Sequence, residues 1–148
     1  MNFQPIFLGG LIAGTLDLTA ACVYSWLRAS VSPIRVFQFI ASGVMGTDSF
    51  TGGAKTAVLG VALHFLIATV ATAVFYFASR AWFFLIEHPI VAGLLYGIPV
   101  YAFMNFVVLP LSQIQQRPQP MSARIINLVI LMFCIGLPIA LIVRRFAR

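Results

Sequence analysis

The sequence predicts an all-α, polytopic membrane protein: a bundle of four transmembrane helices, with a short amphipathic helix between the first two spans. Of its 148 residues, 61% are hydrophobic and only 8% are charged, whereas a soluble domain carries about 25% charged residues. Four segments each supply roughly 20 consecutive apolar residues, the length that crosses a bilayer. The whole chain, 1–148, is expected to form a single integral membrane domain.

The four spans are predicted at 6–27, 56–78, 89–109 and 123–143. The segment "MNFQPIFLGG" lacks the basic residues and the small-residue cleavage site of a secretory signal, so the first span is expected to be retained. Proline suits the first turn of a helix, and arginine and lysine anchor helix ends at headgroups. Residues of these kinds mark the span ends: Arg28; Lys55 and Arg80; Pro89; Arg144 and Arg145.

The first connection, "SPIRVFQFIASGVMG", predicts a short helix at about 33–44. Ser32 is suited to cap it and Pro33 to begin it. Apolar residues recur at helical spacing, opposite a polar side, and this pattern is typical of a helix lying in the membrane interface. The apolar positions are Ile34, Phe37, Ile40 or Ala41, and Val44, and the polar ones are Arg35, Gln38 and Ser42. The last connection, "SQIQQRPQPMS", is polar and proline-rich and predicts an ordinary exposed loop.

Four spans place both termini and the 79–88 connection on one side of the membrane, which we call side A. The other two connections lie on side B. Side A carries four basic residues and side B five, so the positive-inside rule does not fix the orientation. Insertion in both orientations, giving antiparallel dimers, remains an alternative. Arginine at three of the last five positions, 144, 145 and 148, favours cytoplasmic termini in a bacterial inner membrane.

Asp17, one of only three acidic residues, lies in the middle of the first span. A charged side chain at the bilayer centre costs roughly 3 kcal/mol on insertion scales, so it is expected to face protein or water. Gly10, Gly14 and Asp17 fall on one stripe of the helix. The two glycines form a GxxxG pair, which allows another helix to approach closely. The sequence therefore predicts that Asp17 points into the bundle.

The second span carries a matching face of small residues, including Gly60, around His64. At 1.5 Å per residue, Asp17 lies about 15 Å and His64 about 12 Å from side B. Consecutive helices are usually neighbours, so the two side chains are predicted to form a buried polar pair. Two roles remain open for the pair: a hydrogen-bonded latch between the helices, or a proton-carrying or ion-binding site.

The other two spans add polar and helix-breaking residues. Gly93 and Gly97 form a second GxxxG pair, while Pro99 and Pro138 interrupt the backbone hydrogen-bond ladder. The sequence thus predicts a bundle that is dry toward side A and polar toward side B. Supporting polar residues are expected in the side B half: Asn105, Asn127 and Arg124.

The sequence predicts no catalytic residue, metal or cofactor. A haem would need a second axial ligand, but His88 lies at the opposite interface from His64. A metal ion held by Asp17 and His64 would lack a third good ligand. The net charge of +6 comes from basic residues scattered singly along the chain. Nucleic-acid binding is therefore not expected, and the lipid bilayer is the predicted partner.

Several segments together carry a family resemblance: "GGLIAGTLDLT", "SPIRVFQFIASGVMG", "LGVALHFLIA", "LLYGIPVYAFMNFVVLPLS" and "IGLPIALIVRR". The chain resembles a group of small, uncharacterised four-helix bacterial inner-membrane proteins, distantly similar to the YagU-like family. The resemblance covers nearly the whole chain and implies no established activity. It implies a histidine in the fourth span where this chain has Leu131, so a multi-histidine metal site is not expected here. Asp17 and His64 match the pattern of the group.

Three function classes follow from the sequence. A non-enzymatic accessory or assembly component is favoured, because no catalytic motif is present and both GxxxG faces suit partner helices, in a homodimer or a larger membrane complex. A small proton-linked transporter or ion-permeable bundle, using the Asp17–His64 pair, is the alternative. A membrane enzyme acting on a lipid or quinone is the third class.

Overall fold

The computed structural model of the chain describes residues 1–147, which are predominantly helical. Arg148, one of the basic residues assigned to side A, lies outside the described residues. A 3-10 turn, Gly46–Thr51, joins the second helix to the third. The helices are α1 (Gln4–Ala29), α2 (Pro33–Met45), α3 (Ala54–Ala81), α4 (Phe84–Glu87), α5 (Pro89–Leu111) and α6 (Met121–Phe146).

Helices α1, α3, α5 and α6 are 26, 28, 23 and 26 residues long and apolar enough to cross a membrane. They coincide with the four predicted spans and extend them by up to three residues at an end. Helix α1 lies between α3 and α6, and α6 lies between α1 and α5. The all-helical class and the four long apolar helices are therefore confirmed.

Glycines allow α1 and α3 to approach closely. A Cβ atom at Gly14 would lie 2.7 Å from the Phe65 ring, and one at Gly10 would lie 2.7 Å from the Cα of Thr69. Both distances are shorter than a normal carbon–carbon contact of about 3.5 Å. The GxxxG face of the first span is thus filled by the neighbouring helix of the same chain.

The second GxxxG face is filled in the same way, by α6. A Cβ atom at Gly93 would lie 2.8 Å from the Cα of Leu137, and one at Gly97 would overlap the backbone of Met132. Gly136 contributes from the opposite helix, since a Cβ there would overlap the Gly93 carbonyl. The expectation that these faces are available to partner helices is therefore not met, because helices of this chain occupy them.

Toward side A the bundle is closed by an apolar core. Phe75, Ile139 and Val143 are almost completely buried there. Tyr96 packs edge-on against Phe75, with ring centroids 5.0 Å apart, and its hydroxyl donates to the Ala71 carbonyl at 2.7 Å. This hydrogen bond satisfies the polar end of a side chain whose ring is packed in the core.

Two of the long helices contain a π-helical segment just before a proline. Met132–Gly136 precedes Pro138 in α6, and Met104–Val108 precedes Pro110 in α5. A proline ring lacks an N–H and clashes with the carbonyl four residues earlier, and a wider π turn accommodates both effects. The expected interruption at Pro138 is confirmed. Pro99 lies inside an α-helix without a π turn, where its missing N–H leaves the Leu95 carbonyl without its helical partner. The second π-helical segment precedes Pro110 instead.

Helix α2 begins as predicted, because the Ser32 hydroxyl accepts a hydrogen bond from the Arg35 backbone N–H at 3.4 Å. The two predicted sides of α2, however, do not separate by burial. Gln38 and Ser42 of the polar side are only 5% and 4% exposed, whereas Arg35 is exposed. On the apolar side, Ala41 is fully buried, but Ile34 and Val44 are 56% and 57% exposed. Two of the three polar residues of α2 therefore face the protein.

The reason lies in the packing of α2 against α3. Gly60 has no Cβ, so the Phe37 carbonyl reaches the surface of α3 at that point. The Gln38 amide then donates to the Gly53 carbonyl at 3.2 Å, and the Ser49 hydroxyl donates to the Gln38 carbonyl at 2.8 Å. Buried polar groups are tolerated where such partners exist, and they hold α2 against the side B half of the bundle.

The loop at 112–120 is irregular and mostly exposed, as expected, but it is also attached to α2. The Gln113 backbone N–H donates to the Gly43 carbonyl at 2.9 Å. The Gln113 side-chain amide donates to the Val44 carbonyl at 2.8 Å. These bonds satisfy carbonyls at the C-terminal end of α2, which have no partner within that helix. The loop thereby becomes part of the side B end of the bundle.

Candidate functional site

The structure brings Asp17 and His64 together at the interface of α1 and α3. The Asp17 Oδ2 and His64 Nε2 atoms are 3.7 Å apart, and the two side chains are 14% and 15% exposed. This distance falls within the 4 Å limit used for ion pairs. The close approach at Gly14, one turn before Asp17, sets the separation of the two helices at this level.

The imidazole is held by backbone rather than by the carboxylate. His64 Nε2 lies 3.0 Å from the Gly14 carbonyl oxygen. A carbonyl only accepts hydrogen bonds, so Nε2 carries a proton and donates it there. The separation of 3.7 Å from Asp17 is longer than a normal N–H···O bond of about 3 Å. Asp17 and His64 are therefore in electrostatic contact without a hydrogen bond between them.

Asp17 forms part of the wall of a cavity of about 880 Å³. The Asp17 side chain accepts no hydrogen bond from residues 1–147. Within this range, every side-chain oxygen that lacks a hydrogen-bond partner is accessible to solvent. The carboxylate oxygens are therefore open to the cavity. The cavity lies in the side B half, where α1 faces α5 across it, and α2, α6 and the 112–120 loop complete the enclosure.

All three supporting polar residues predicted from the sequence, Asn105, Asn127 and Arg124, line this cavity together with Asp17. Asn105 lies on the π-helical segment of α5 and its amide nitrogen donates to the Tyr101 carbonyl at 2.9 Å. Asn127 and Arg124 lie near the start of α6. The predicted polar half of the bundle thus corresponds to one continuous cavity.

Several cavity residues were missed by the sequence analysis. Phe39 and Phe50 reach the cavity from α2 and the following turn, Tyr101 and Phe106 from α5, and glutamines from the 112–120 loop. No pattern in the sequence identifies them, because they become neighbours only when α2 packs against α3. The nearest indication in the sequence is Gly60, which was predicted to be a helix-packing residue but not to be the point where α2 contacts α3.

Among residues 1–147, no group of three His, Cys, Asp or Glu side chains is arranged to hold a metal ion. Leu131, which takes the place of the histidine implied by the family resemblance, lines the same cavity as Asp17. A leucine there offers no metal ligand.

Comparisons of the chain with protein-family models, with curated proteins and with solved structures gave no match. The chemistry of the site follows from its geometry alone. A carboxylate that is open to a cavity has the chemistry to bind and release a proton and, when ionised, to attract a cation. The surrounding amide and aromatic side chains provide space and contacts for a solute.

Proposed function

We propose that this chain is a multi-pass protein of the bacterial inner membrane and works as a small proton-linked transporter with Asp17 as its proton site. The four long apolar helices support insertion into a membrane. Large apolar side chains such as Phe7, Val58, Phe103 and Leu141 are exposed on the outer surfaces of these helices, and lipid would cover them. The inner-membrane location is supported by the family resemblance.

One observation carries the transport proposal: the Asp17 carboxylate is open to the cavity and is not hydrogen-bonded to His64. In a latch formed by the Asp17–His64 pair itself, the imidazole would donate to the carboxylate. Here the Gly14 carbonyl takes that N–H. A carboxylate inside a membrane protein needs a proton, a cation, water or a polar protein group as a partner, and the cavity gives the first three a place beside Asp17.

The accessory role favoured by the sequence loses its main support, because both GxxxG faces are occupied within the chain. The two halves of the bundle instead match what alternating access requires, a site that is closed on one side and open on the other. Protonation of Asp17 releases a bound cation, and deprotonation allows the next cation to bind. His64 acts as a positioning residue that holds α1 and α3 in register at the site.

The test uses purified protein reconstituted into vesicles that contain a pH-sensitive dye. A panel of solutes is added outside in separate experiments: Na⁺, K⁺, tetraphenylphosphonium, acetate and glutamate. At least one solute is expected to change the internal pH in vesicles with the unaltered protein. The change in internal pH is expected to fall at least about tenfold with Asp17→Asn, because the amide side chain of asparagine does not take up or release a proton near neutral pH.

Asp48→Asn is the matched control, since it makes the same chemical change at an exposed position outside the cavity wall. It is expected to behave like the unaltered protein. Size-exclusion chromatography and circular dichroism establish that both variants fold. If no solute on the panel moves the internal pH, or if Asp17→Asn retains full activity, proton-linked transport through Asp17 is ruled out.

A further inference from the structure

The charge inside the cavity indicates what kind of solute fits it. Asp17 is the only acidic residue in the cavity wall among the described residues. Its one ionic contact, His64, points its Nε2–H at a backbone carbonyl instead. Arg117 and Arg124 also line the cavity, but among the described residues only His64 lies within ion-pair distance of the Asp17 carboxylate. A cation bound directly beside Asp17 would neutralise the ionised carboxylate locally.

The dimensions of the cavity favour an organic cation over an inorganic one. A volume of about 880 Å³ lies within the range of roughly 300–1,000 Å³ that is typical of sites for drug-sized molecules. A dehydrated metal ion needs several oxygen, nitrogen or sulfur ligands close together, and no three-residue cluster of His, Cys, Asp or Glu side chains serves this purpose within residues 1–147.

The walls favour a cation with an apolar body. The aromatic residues Phe39, Tyr101 and Phe106 and the apolar side chains Met104 and Leu131 line the cavity. Aromatic rings attract delocalised or quaternary cations through their negative faces, and each contact contributes roughly 0.5–2 kcal/mol depending on desolvation. A strongly hydrated small cation gains little from such walls, whereas an aryl- or alkyl-substituted cation replaces its hydration by these contacts.

Two arginines limit the charge of the solute. Arg117 and Arg124 also line the cavity, at its side B end, and their positive charges oppose the entry of another cation. A cation with two or more charges is repelled more strongly than one with a single charge. A cation that carries one charge within an apolar body pairs with Asp17 and is repelled least by the two arginines.

From this arrangement we infer that the substrates are bulky, hydrophobic organic cations with one positive charge, which bind next to Asp17 in exchange for a proton. The inference rests on the proposed transport function and adds the substrate class. The other titratable or charged groups near Asp17 are His64 on α3, Cys134 and Arg124 on α6, Tyr101 on α5 and Arg117 in the loop. Of these groups, Asp17 is the one carboxylic acid, and it is open to the cavity.

The test measures binding to the purified protein in detergent by equilibrium dialysis with labelled tetraphenylphosphonium. Tetraphenylborate, an anion of nearly the same shape, is the matched probe. Tetraphenylphosphonium is expected to bind at least about tenfold more tightly than tetraphenylborate. Asp17→Asn is expected to weaken tetraphenylphosphonium binding about tenfold, and Asp48→Asn is expected to leave it unchanged. Binding should release protons in a weakly buffered solution.

Arg124→Gln provides a second variant at an exposed position, so the inference remains testable if Asp17→Asn fails to fold. Removing this positive charge is expected to strengthen tetraphenylphosphonium binding about threefold and to weaken tetraphenylborate binding. Equal binding of the two probes would overturn the inference, as would unchanged tetraphenylphosphonium binding in both Asp17→Asn and Arg124→Gln. Each result would mean that the cavity selects for apolar character without selecting for positive charge.

The two proposals fail in different ways. If tetraphenylphosphonium does not bind but another solute on the panel changes the internal pH through Asp17, the substrate class is wrong and proton-linked transport stands. If tetraphenylphosphonium binds through Asp17 but no solute changes the internal pH, the cation site stands and the transport function is wrong.

Discussion

The side A and side B halves of this bundle are built from the same four long helices, but they pack in different ways. In the side A half, glycine brings α1 against α3 and α5 against α6, and Phe75, Ile139 and Val143 fill the remaining space. In the side B half, α1 and α5 face each other across a cavity closed by α2 and the 112–120 loop. The side A half is tightly packed, and the side B half contains the cavity.

The difference follows from a change of residue size along single helical stripes. On α1, Gly10 and Gly14 are followed by Asp17 at the next position of the stripe. On α5, Gly97 is followed by Tyr101 and then by Asn105, at spacings of four residues. Small residues permit close packing, and larger polar ones end it. On each of these two helices, one stripe of residues therefore forms the close helix contact and, one turn later, the wall of the cavity.

The largest expected effect on stability comes from disrupting the glycine contacts in the side A half. Gly136→Ala places a methyl group where the Gly93 carbonyl now lies, and overpacking of this kind is expected to lower the free energy of unfolding by about 3 kcal/mol. Gly43→Ala is the matched control, because its new Cβ would lie 3.6 Å from its nearest neighbours, an ordinary contact distance. Denaturant titration in detergent micelles measures both. Equal stability of the two variants would contradict the packing described for the side A half.

A smaller effect distinguishes a cavity site from a latch. His64→Ala removes the bond to the Gly14 carbonyl and is expected to lower the free energy of unfolding by about 1 kcal/mol. Asp17→Asn is expected to leave it nearly unchanged. The coupling between the two substitutions in a double-mutant cycle is expected to be below about 0.5 kcal/mol. A coupling above about 1 kcal/mol would show that the pair acts as a structural latch.

The smallest effect is expected at the rim of the cavity. Gln113→Ala removes the side-chain bond to the Val44 carbonyl and is expected to cost about 0.5 kcal/mol of stability. It should also speed hydrogen exchange at 112–120, because that bond attaches the loop to α2. Gln115→Ala, a nearby exposed position in the same loop, is the control. Equal exchange rates in the two variants would mean that Gln113 does not hold the loop.

The sequence was sufficient for the long helices and for the contact between Asp17 and His64. The length of the apolar segments predicts the long helices. Helical periodicity places Asp17 and His64 on the facing sides of two neighbouring helices. The burial of Gln38 and Ser42 was not predicted, because the amphipathic pattern of α2 was interpreted as if α2 lay alone in the interface. Packing at Gly60 and the bond from Gln38 to the Gly53 carbonyl turn this part of α2 toward the protein. Such tertiary contacts leave no periodic signal.

The cavity was predicted only as a polar tendency of the side B half. Asn105, Asn127 and Arg124 were found because polar residues are rare in the long apolar segments. Phe39 and Tyr101 were not found, since aromatic residues in apolar helices look the same whether they face lipid, a core or a cavity. The π-helical segment before Pro110 was missed because the effect of each proline depends on how its neighbours pack.

Chemical labelling of a cysteine at position 17 tests the central claim most directly. In a background with Cys22 and Cys134 replaced by serine, Asp17→Cys reconstituted in vesicles is exposed to a membrane-impermeant maleimide from each side in turn. Ala13→Cys, a fully buried position one turn closer to side A, is the control. We expect Asp17→Cys to be labelled from side B only and Ala13→Cys to remain unlabelled. If Asp17→Cys resists labelling from both sides until the protein is unfolded, position 17 is sealed in the helix interface and the open site described here does not exist.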